Sequence, residues 1–330
     1  MKDLENKELL NQEEVTEVVE VEEAKALAAI DLNKEKARDK RAKIVGAILS
    51  YTFLTICAFF AFLPFYWMVI SSLKPEYEYR RSVPTFFPHE FYFKNYAAVL
   101  SQTDTGSSGS FLQIIVNTLV VGLVSTSIGL VVIVITSYAL ARMEFKGKNL
   151  LFTLMLATMM IPGEMFTLTN YLTVSKWGWN DTFTVLILPF LVSIYYIYLL
   201  RNNFKQIPNS LYQAAKVDGL SDAGYLVKVM VPLTAPTLIS VTLLKFIATW
   251  NSYIWPRLVN TQSWQLITNW VTRGFPDRGA KLYNGLYGTT MALTTLRMAA
   301  VCMVSLPLFI LFIAFRKYIM HGVSKSGTKG

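Results

Sequence analysis

Six stretches of this sequence are long and apolar enough to cross a lipid bilayer: 44–72, 111–141, 150–174, 182–200, 231–255 and 286–315. A span takes about 20 mostly apolar residues. Hydrocarbon offers the backbone no water, so each run must close its hydrogen bonds internally as a helix. An all-α, polytopic membrane protein with six transmembrane helices is expected. Composition agrees where it discriminates: 16% of residues are charged, against about a quarter in a soluble domain. Pro64, Pro162, Pro189, Pro236 and Pro307 lie in or near these runs, where neighbouring groups can satisfy the carbonyls that proline frees.

Loop charges set the expected orientation. Lys40, Arg41 and Lys43 precede the first run, and Arg142, Lys146 and Lys148 lie between the second and third. Arg201, Lys205, Lys216 and Lys228 lie between the fourth and fifth, and Arg316, Lys317, Lys325 and Lys329 follow the sixth. These segments share one side, the cytoplasmic one by the positive-inside rule, which puts both termini there. The opposite loops also carry cations: Lys74, Arg80, Arg81 and Lys94, then Arg257, Arg273, Arg278 and Lys281. The net charge of +9 sits beside apolar runs and forms no aromatic-interleaved basic patch, which argues against a nucleic-acid partner.

Three segments follow: a charged cytoplasmic tail over 1–43, a membrane domain over 44–317 and a cytoplasmic tail over 318–330. No cleavable signal layout is visible, because the first apolar run starts only near Ile44. The first tail has an acidic block from Glu13 to Glu23 and a basic one from Lys34 to Lys43. It reads as a solvated tail, or as a docking segment for a partner. Cys57 and Cys302 both lie in apolar runs and support neither a disulfide framework nor a paired-cysteine metal site. The outer segment 74–110 is rich in aromatics, Phe86, Phe87, Phe91, Tyr92, Phe93 and Tyr96, which suits packing at the membrane interface.

One loop is unusual. Between the fourth and fifth runs the chain reads Ile207-Pro208-Asn209-Ser210-Leu211-Tyr212-Gln213-Ala214-Ala215-Lys216-Val217-Asp218-Gly219. Ser210 and Gln213 make a Ser-x-x-Gln capping box, so a helix is expected to start at Ser210. Gly219 suits a left-handed stop after it. A helix of about nine residues is marginal alone in water and needs a docking surface. Leu211, Ala214 and Ala215 share one face. Ser221 can cap a second helix leading into the fifth run. Asp218, near the helix C-terminus, opposes the dipole; it meets a partner cation or is simply solvated.

No phosphate loop Gly-x-x-x-x-Gly-Lys is present, and the two histidines, His89 and His321, build no metal motif. No catalytic constellation, cofactor site or metal site is expected. Glu164, Lys245 and Arg297 fall inside apolar runs. A cation at mid-span costs about 2.5–3.5 kcal/mol on insertion scales, so these residues should face a cavity or one another. They line a substrate path, or Glu164 pairs with Lys245 while Arg297 snorkels outward. Trp250, Asn251 and Tyr253 could stack on and hydrogen-bond sugar rings, or anchor the interface.

The loop resembles the Glu-Ala-Ala loop of ABC importer permeases. Gln213-Ala214-Ala215, Gly219 and Val229-Met230-Val231-Pro232 match its spacing, with Gln213 in place of Glu, Val229 of Ile and Val231 of Leu. Other segments are similar to the maltose-type second permease of the carbohydrate-uptake branch. These are Asn117-Thr118-Leu119, Ser137-Tyr138-Ala139-Leu140-Ala141-Arg142, Phe145-Lys146-Gly147-Lys148, Met160-Ile161-Pro162-Gly163, Trp250-Asn251-Ser252-Tyr253-Ile254-Trp255-Pro256 and Gly322-Val323-Ser324-Lys325. The likeness covers about residues 44–330. It implies a permease subunit of a binding-protein-dependent importer in a bacterial cell membrane, moving a sugar or oligosaccharide. A polyol phosphate or acidic sugar is the alternative cargo, on the ground of the cations Lys245 and Arg297 inside the apolar runs. It further implies a second homologous permease, two ATP-binding subunits and an extracellular solute-binding protein as partners. Gln213, Ala214, Ala215, Asp218 and Gly219 would then form the coupling helix that enters a cleft of the ATPase. A secondary transporter is the rival from another class, but only Glu164 offers a coupling carboxylate and no internal repeat stands out.

Overall fold

The computed structural model describes residues 40–100, 110–260, 263–274 and 294–324. The expectations about most of the charged tail, the start of the sixth run, Arg278, Lys281, Lys325 and Lys329 lie outside the described residues. Every element among the described residues is helical.

The chain divides into two units, 1–67 and 68–330. The first contains most of α1 (Lys40–Ser72). Its side chains are apolar and exposed all round, Leu49, Phe53 and Phe60 among them, as on a helix whose solvent is lipid.

In the second unit, α2 (Glu76–Tyr79) and α3 (Lys94–Leu100) precede α4 (Phe111–Arg142), a straight-through span of 32 residues. Next come α5 (Lys148–Thr158) and α6 (Gly163–Lys176). α7 (Phe183–Ile187) continues through a 3-10 turn, Leu188–Phe190, towards α8 (Ile194–Lys205). The short α9 (Asn209–Val217) leads to α10 (Asp222–Leu233), which contains a π turn, and then to α11 (Ala235–Trp250). α12 (Ile254–Val259), α13 (Ile267–Asn269) and the long α14 (Thr294–Ser324) complete the order.

Among the described residues three helices, α1, α4 and α14, meet the length and apolarity of a span, and the total is six if each of three bent pairs counts as one span. The bends correct the expectation of six simple helices. α5 and α6 meet at 94°, the α7 segment and α8 at 49°, and α10 and α11 at 83°. Proline marks each break, because it lacks the N–H that would continue the helical ladder. Pro162 stands at the start of α6 with ψ 130°, and Pro189 lies in the 3-10 turn. Between α10 and α11, Thr234 leaves helical geometry at φ −103°, ψ 12°, and its hydroxyl donates to the Met230 carbonyl at 2.8 Å. The fifth run also ends sooner than expected, at Trp250, with α12 separate.

α4 is the hub. Its buried Gly122, Ser125, Thr126 and Gly129 present the small surface that lets helices approach closely in a membrane. A Cβ at Gly122 would lie 2.9 Å from the Phe246 ring of α11. One end of α4 packs with Val99, Trp250, Trp270 and Leu296, and the other with Ile197, Leu200, Phe204 and Tyr225.

Two cations of the loop after α1 have structural work. Buried Lys74 donates to the Thr85 carbonyl, and Arg80 pairs with Glu76 at 2.7 Å. Glu76 also accepts from the backbone N–H and hydroxyl of Thr295 at 3.2 and 3.0 Å, in the first turn of α14. A carboxylate there opposes the positive end of the helix dipole.

Candidate functional site: the α9 loop

The loop folds around its prolines and glycines. Pro208, at φ −58° and ψ 141°, takes the N-cap position of α9, and no side chain caps the helix. This corrects the expected capping box. Proline presets the turn before Asn209, so Ser210 is already inside the first turn and its side chain is exposed. The stop is as expected. Gly219 has φ +77°, with Gly219 N–H donating to Lys216 and Leu220 N–H to Ala215, at 3.1 and 2.9 Å. These two bonds make a Schellman motif. Ser221 caps α10, accepting from Gly224 N–H at 3.1 Å.

The expected coupling residues fall on this one helix and its stop. Gln213, Ala214, Asp218 and Gly219 are exposed, while Ala215 turns inward at 4% exposure. The Leu211, Ala214 and Ala215 face is therefore split. Ala215 seats the helix against Tyr225 and its neighbours. Leu211 is 41% exposed and Val217 is 89% exposed. Val217 is an addition to the sequence-derived set. Its signal was its place three residues after Ala214, on the same face. Asp218 has no ion pair among the described residues.

A polar clasp holds α9 in place. Asp222 Oδ1 accepts from Lys216 Nζ at 3.0 Å and Tyr212 OH at 2.9 Å. Its carboxylate raises the Lys216 pKa above the ordinary lysine value, chiefly through that hydrogen bond. The Tyr212 ring meets Tyr225 edge-on at 5.1 Å. Tyr138 of α4 places its hydroxyl 3.5 Å from the same Asp222 oxygen, the outer limit of a hydrogen bond.

Two arginines cross-link the helix ends beside α9. Arg142, last in α4, donates through Nη2 to the carbonyls of Phe204, at 3.0 Å, and Ile207. Arg201 of α8 donates through Nε to Leu140 of α4 at 3.1 Å and lies 3.6 Å over the Phe152 ring. Arg142 thus binds the chain at the C-terminal end of α8, and Arg201 binds a carbonyl in the last turn of α4, where the final carbonyls lack a partner four residues on.

The expected substrate-path residues do not form one cluster. Glu164 is exposed in the first turn of α6. No ion pair links it to Lys245 among the described residues, so the Glu164–Lys245 pairing is corrected. Lys245 is 4% exposed and donates to the Phe190 carbonyl at 3.4 Å, beside the break in the fourth span. Arg297 is half-buried in the first turn of α14. Trp250 is buried in the core with Phe246 and Trp270, while Asn251 is exposed.

Comparison with known proteins gives a consistent picture. The family described as "Binding-protein-dependent transport system inner membrane component" matches residues 129–325. The chain is 29% identical over 293 residues to the arabinooligosaccharides transport system permease protein AraQ of Halalkalibacterium halodurans, covering 88% of this chain and 99% of that one. It is 29% identical over 306 residues to the trehalose/maltose transport system permease protein MalG of Thermococcus litoralis, covering 90% and 99%. A chain in the crystal structure of a bacterial ABC transporter involved in the import of the acidic polysaccharide alginate shares the fold. Its TM-score is 0.74 at 24% identity, over 84% of this chain and 98% of that chain.

Proposed function

The chain belongs to the family of binding-protein-dependent transport system inner membrane components, and on that premise we propose that it imports a sugar or oligosaccharide, with α9 as the helix that docks the ATPase. It is a multi-pass permease subunit of an ABC importer, a transport component whose ATP is hydrolysed by a partner. The cargo reading is supported by relatives named for arabinooligosaccharide, trehalose/maltose and lactose transport. Lys245, which first suggested an acidic cargo, has a backbone carbonyl as its partner and lends that alternative no support.

The observation that carries the docking reading is the division of labour on α9. Ala215 is buried and anchors the helix, while Gln213, Ala214 and Val217 stand free of the body. Asp218 and Gly219 complete the helix end. A nine-residue helix that exposes apolar side chains is built to be covered by another protein. In this reading α9 and both termini face the cytoplasm, with residues 1–43 and 318–330 as tails. Two ATP-binding subunits, a second permease and an external solute-binding protein complete the assembly.

Co-purification through a tag on this chain tests the docking. Ala214→Arg is expected to keep the permease folded and to abolish recovery of the ATP-binding subunit. Full recovery would remove α9 from the interface. Thermal-shift screening of the cognate binding protein against neutral oligosaccharides and uronic acids tests the cargo, and stabilisation by uronic acids alone would overturn the neutral assignment.

A further inference from the structure

We propose that Arg142 and Tyr138, one turn apart at the C-terminal end of α4, are positioning residues that yoke the coupling helix to α4, so that α9 and the end of α4 move as one body. This rests on the reading of α9 as the ATPase-docking helix.

Along the chain, α9 is continuous with α8 before it and α10 after it, and a push on α9 would be expected to pass to those two. The polar contacts add a third route. Arg142 holds the carbonyls of Phe204 and Ile207, and Ile207 immediately precedes the proline that starts α9. Tyr138 reaches Asp222 at 3.5 Å, and Asp222 in turn holds Tyr212 and Lys216 of α9. Residues from one face of α4 therefore grip the chain on both sides of the coupling helix.

The two grips differ in strength. Hydrogen bonds from a guanidinium are about twice as strong as neutral ones, and its planar fork fixes direction as well as distance. Arg201 returns the grip through Leu140 at 3.1 Å, so α4 and α8 are fastened at their ends as a pair. The Tyr138 contact is longer and serves as a guide. The same α4 carries Gly122 and Gly129 against α11 and the break of the fourth span. Movement delivered to α4 therefore reaches the centre of the bundle.

The test uses the assembled transporter, purified with its ATP-binding subunits and reconstituted in nanodiscs. Spin labels at Asn209→Cys on α9 and at Ile135→Cys, exposed on α4, in a Cys57→Ser and Cys302→Ser background, read the α9–α4 distance. The distance is compared between the nucleotide-free and Mg–ATP–vanadate states. An unchanged distance is expected when Arg142 is present. In Arg142→Gln the distance should differ between states, and ATP hydrolysis by the complex should fall between about twofold and thirtyfold, the range for changes along a coupling route. Arg142→Lys should restore part of both. Tyr138→Phe removes a single hydroxyl and should show a smaller effect in the same direction, which keeps the test open if Arg142→Gln assembles poorly. A distance that changes with nucleotide in the presence of Arg142, or stays fixed in both variants with normal hydrolysis, overturns the yoke. Failure of the docking reading is seen separately, as ATP-binding subunit retained by Ala214→Arg.

Discussion

The side chain of Lys245 crosses α4 over Gly129, so closely that a Cβ there would overlap Lys245 Cε and lie 2.5 Å from the Leu191 carbonyl oxygen. The lysine end is flexible, but the carbonyl belongs to the backbone at the break between α7 and α8. Gly129→Ala is therefore expected to cost about 1–3 kcal/mol by overpacking. Thermal unfolding in detergent should register the loss. Gly46→Ala, where nothing lies within 4 Å, is the matched control and should leave the midpoint unchanged or slightly raised.

Lys245 itself should be more replaceable than its burial suggests. Its one observed bond, to Phe190 at 3.4 Å, is long, and removing the charge also removes its desolvation cost. Lys245→Met is expected to shift stability by no more than about 1 kcal/mol, since the net worth of a typical hydrogen bond is of that size. Lys245→Glu would set an anion against carbonyl oxygens and should abolish assembly. Expression and monodispersity of the tagged chain check both.

At the end of α9, Gly219→Ala should be costly for reasons of backbone alone. The residue sits at φ +77° with nothing within 4 Å of a built Cβ, so no clash contributes. The left-handed region costs an L-residue about 1–2 kcal/mol. Asn, which tolerates that region, should recover most of the loss. Thermal unfolding of the isolated permease measures the cost, and ATPase recovery should follow it.

Adjacent alanines on α9 should behave in opposite ways. Ala215 is 4% exposed and Ala214 is exposed. Ala215→Leu is expected to lower stability by about 1–3 kcal/mol through overpacking. Ala214→Leu should leave the melting curve in place while weakening ATPase recovery. Matching effects at both positions would contradict the division of this helix into a seated face and a presented one.

The sequence is most readable where local chemistry decides. α1, α4 and α14 follow from hydropathy alone, because a long apolar run in lipid has only one way to bond its backbone. Gly219 and Ser221 were legible as a stop and a start for the same local reason. The bends were not: Pro162, Pro189 and Pro236 mark where a helix is weakened, but not how far it turns. Ser210 misled because Pro208, two residues earlier, fixed the helix start first. Arg142 was read only as a loop charge, since nothing in the chain order says that Phe204 and Ile207 will meet it. Lys245 announced a buried charge, but its partner is a backbone carbonyl exposed by a break, and that has no signature of its own.

The 94° turn between α5 and α6 bears on how the protein is made. With 11 and 14 residues, the two halves extend about 16 and 21 Å at 1.5 Å per residue, each short of a hydrocarbon layer of about 30 Å. Neither half can cross during biogenesis unaided. The 148–176 run is therefore expected to enter the bilayer as one hydrophobic unit, with the corner at Pro162 formed in the packed bundle, where Phe152 of α5 stacks on Tyr198 of α8. Insertion and shaping are then separate events for this segment, and a lesion at Pro162 would be felt in the second, after the quality check of membrane entry has been passed.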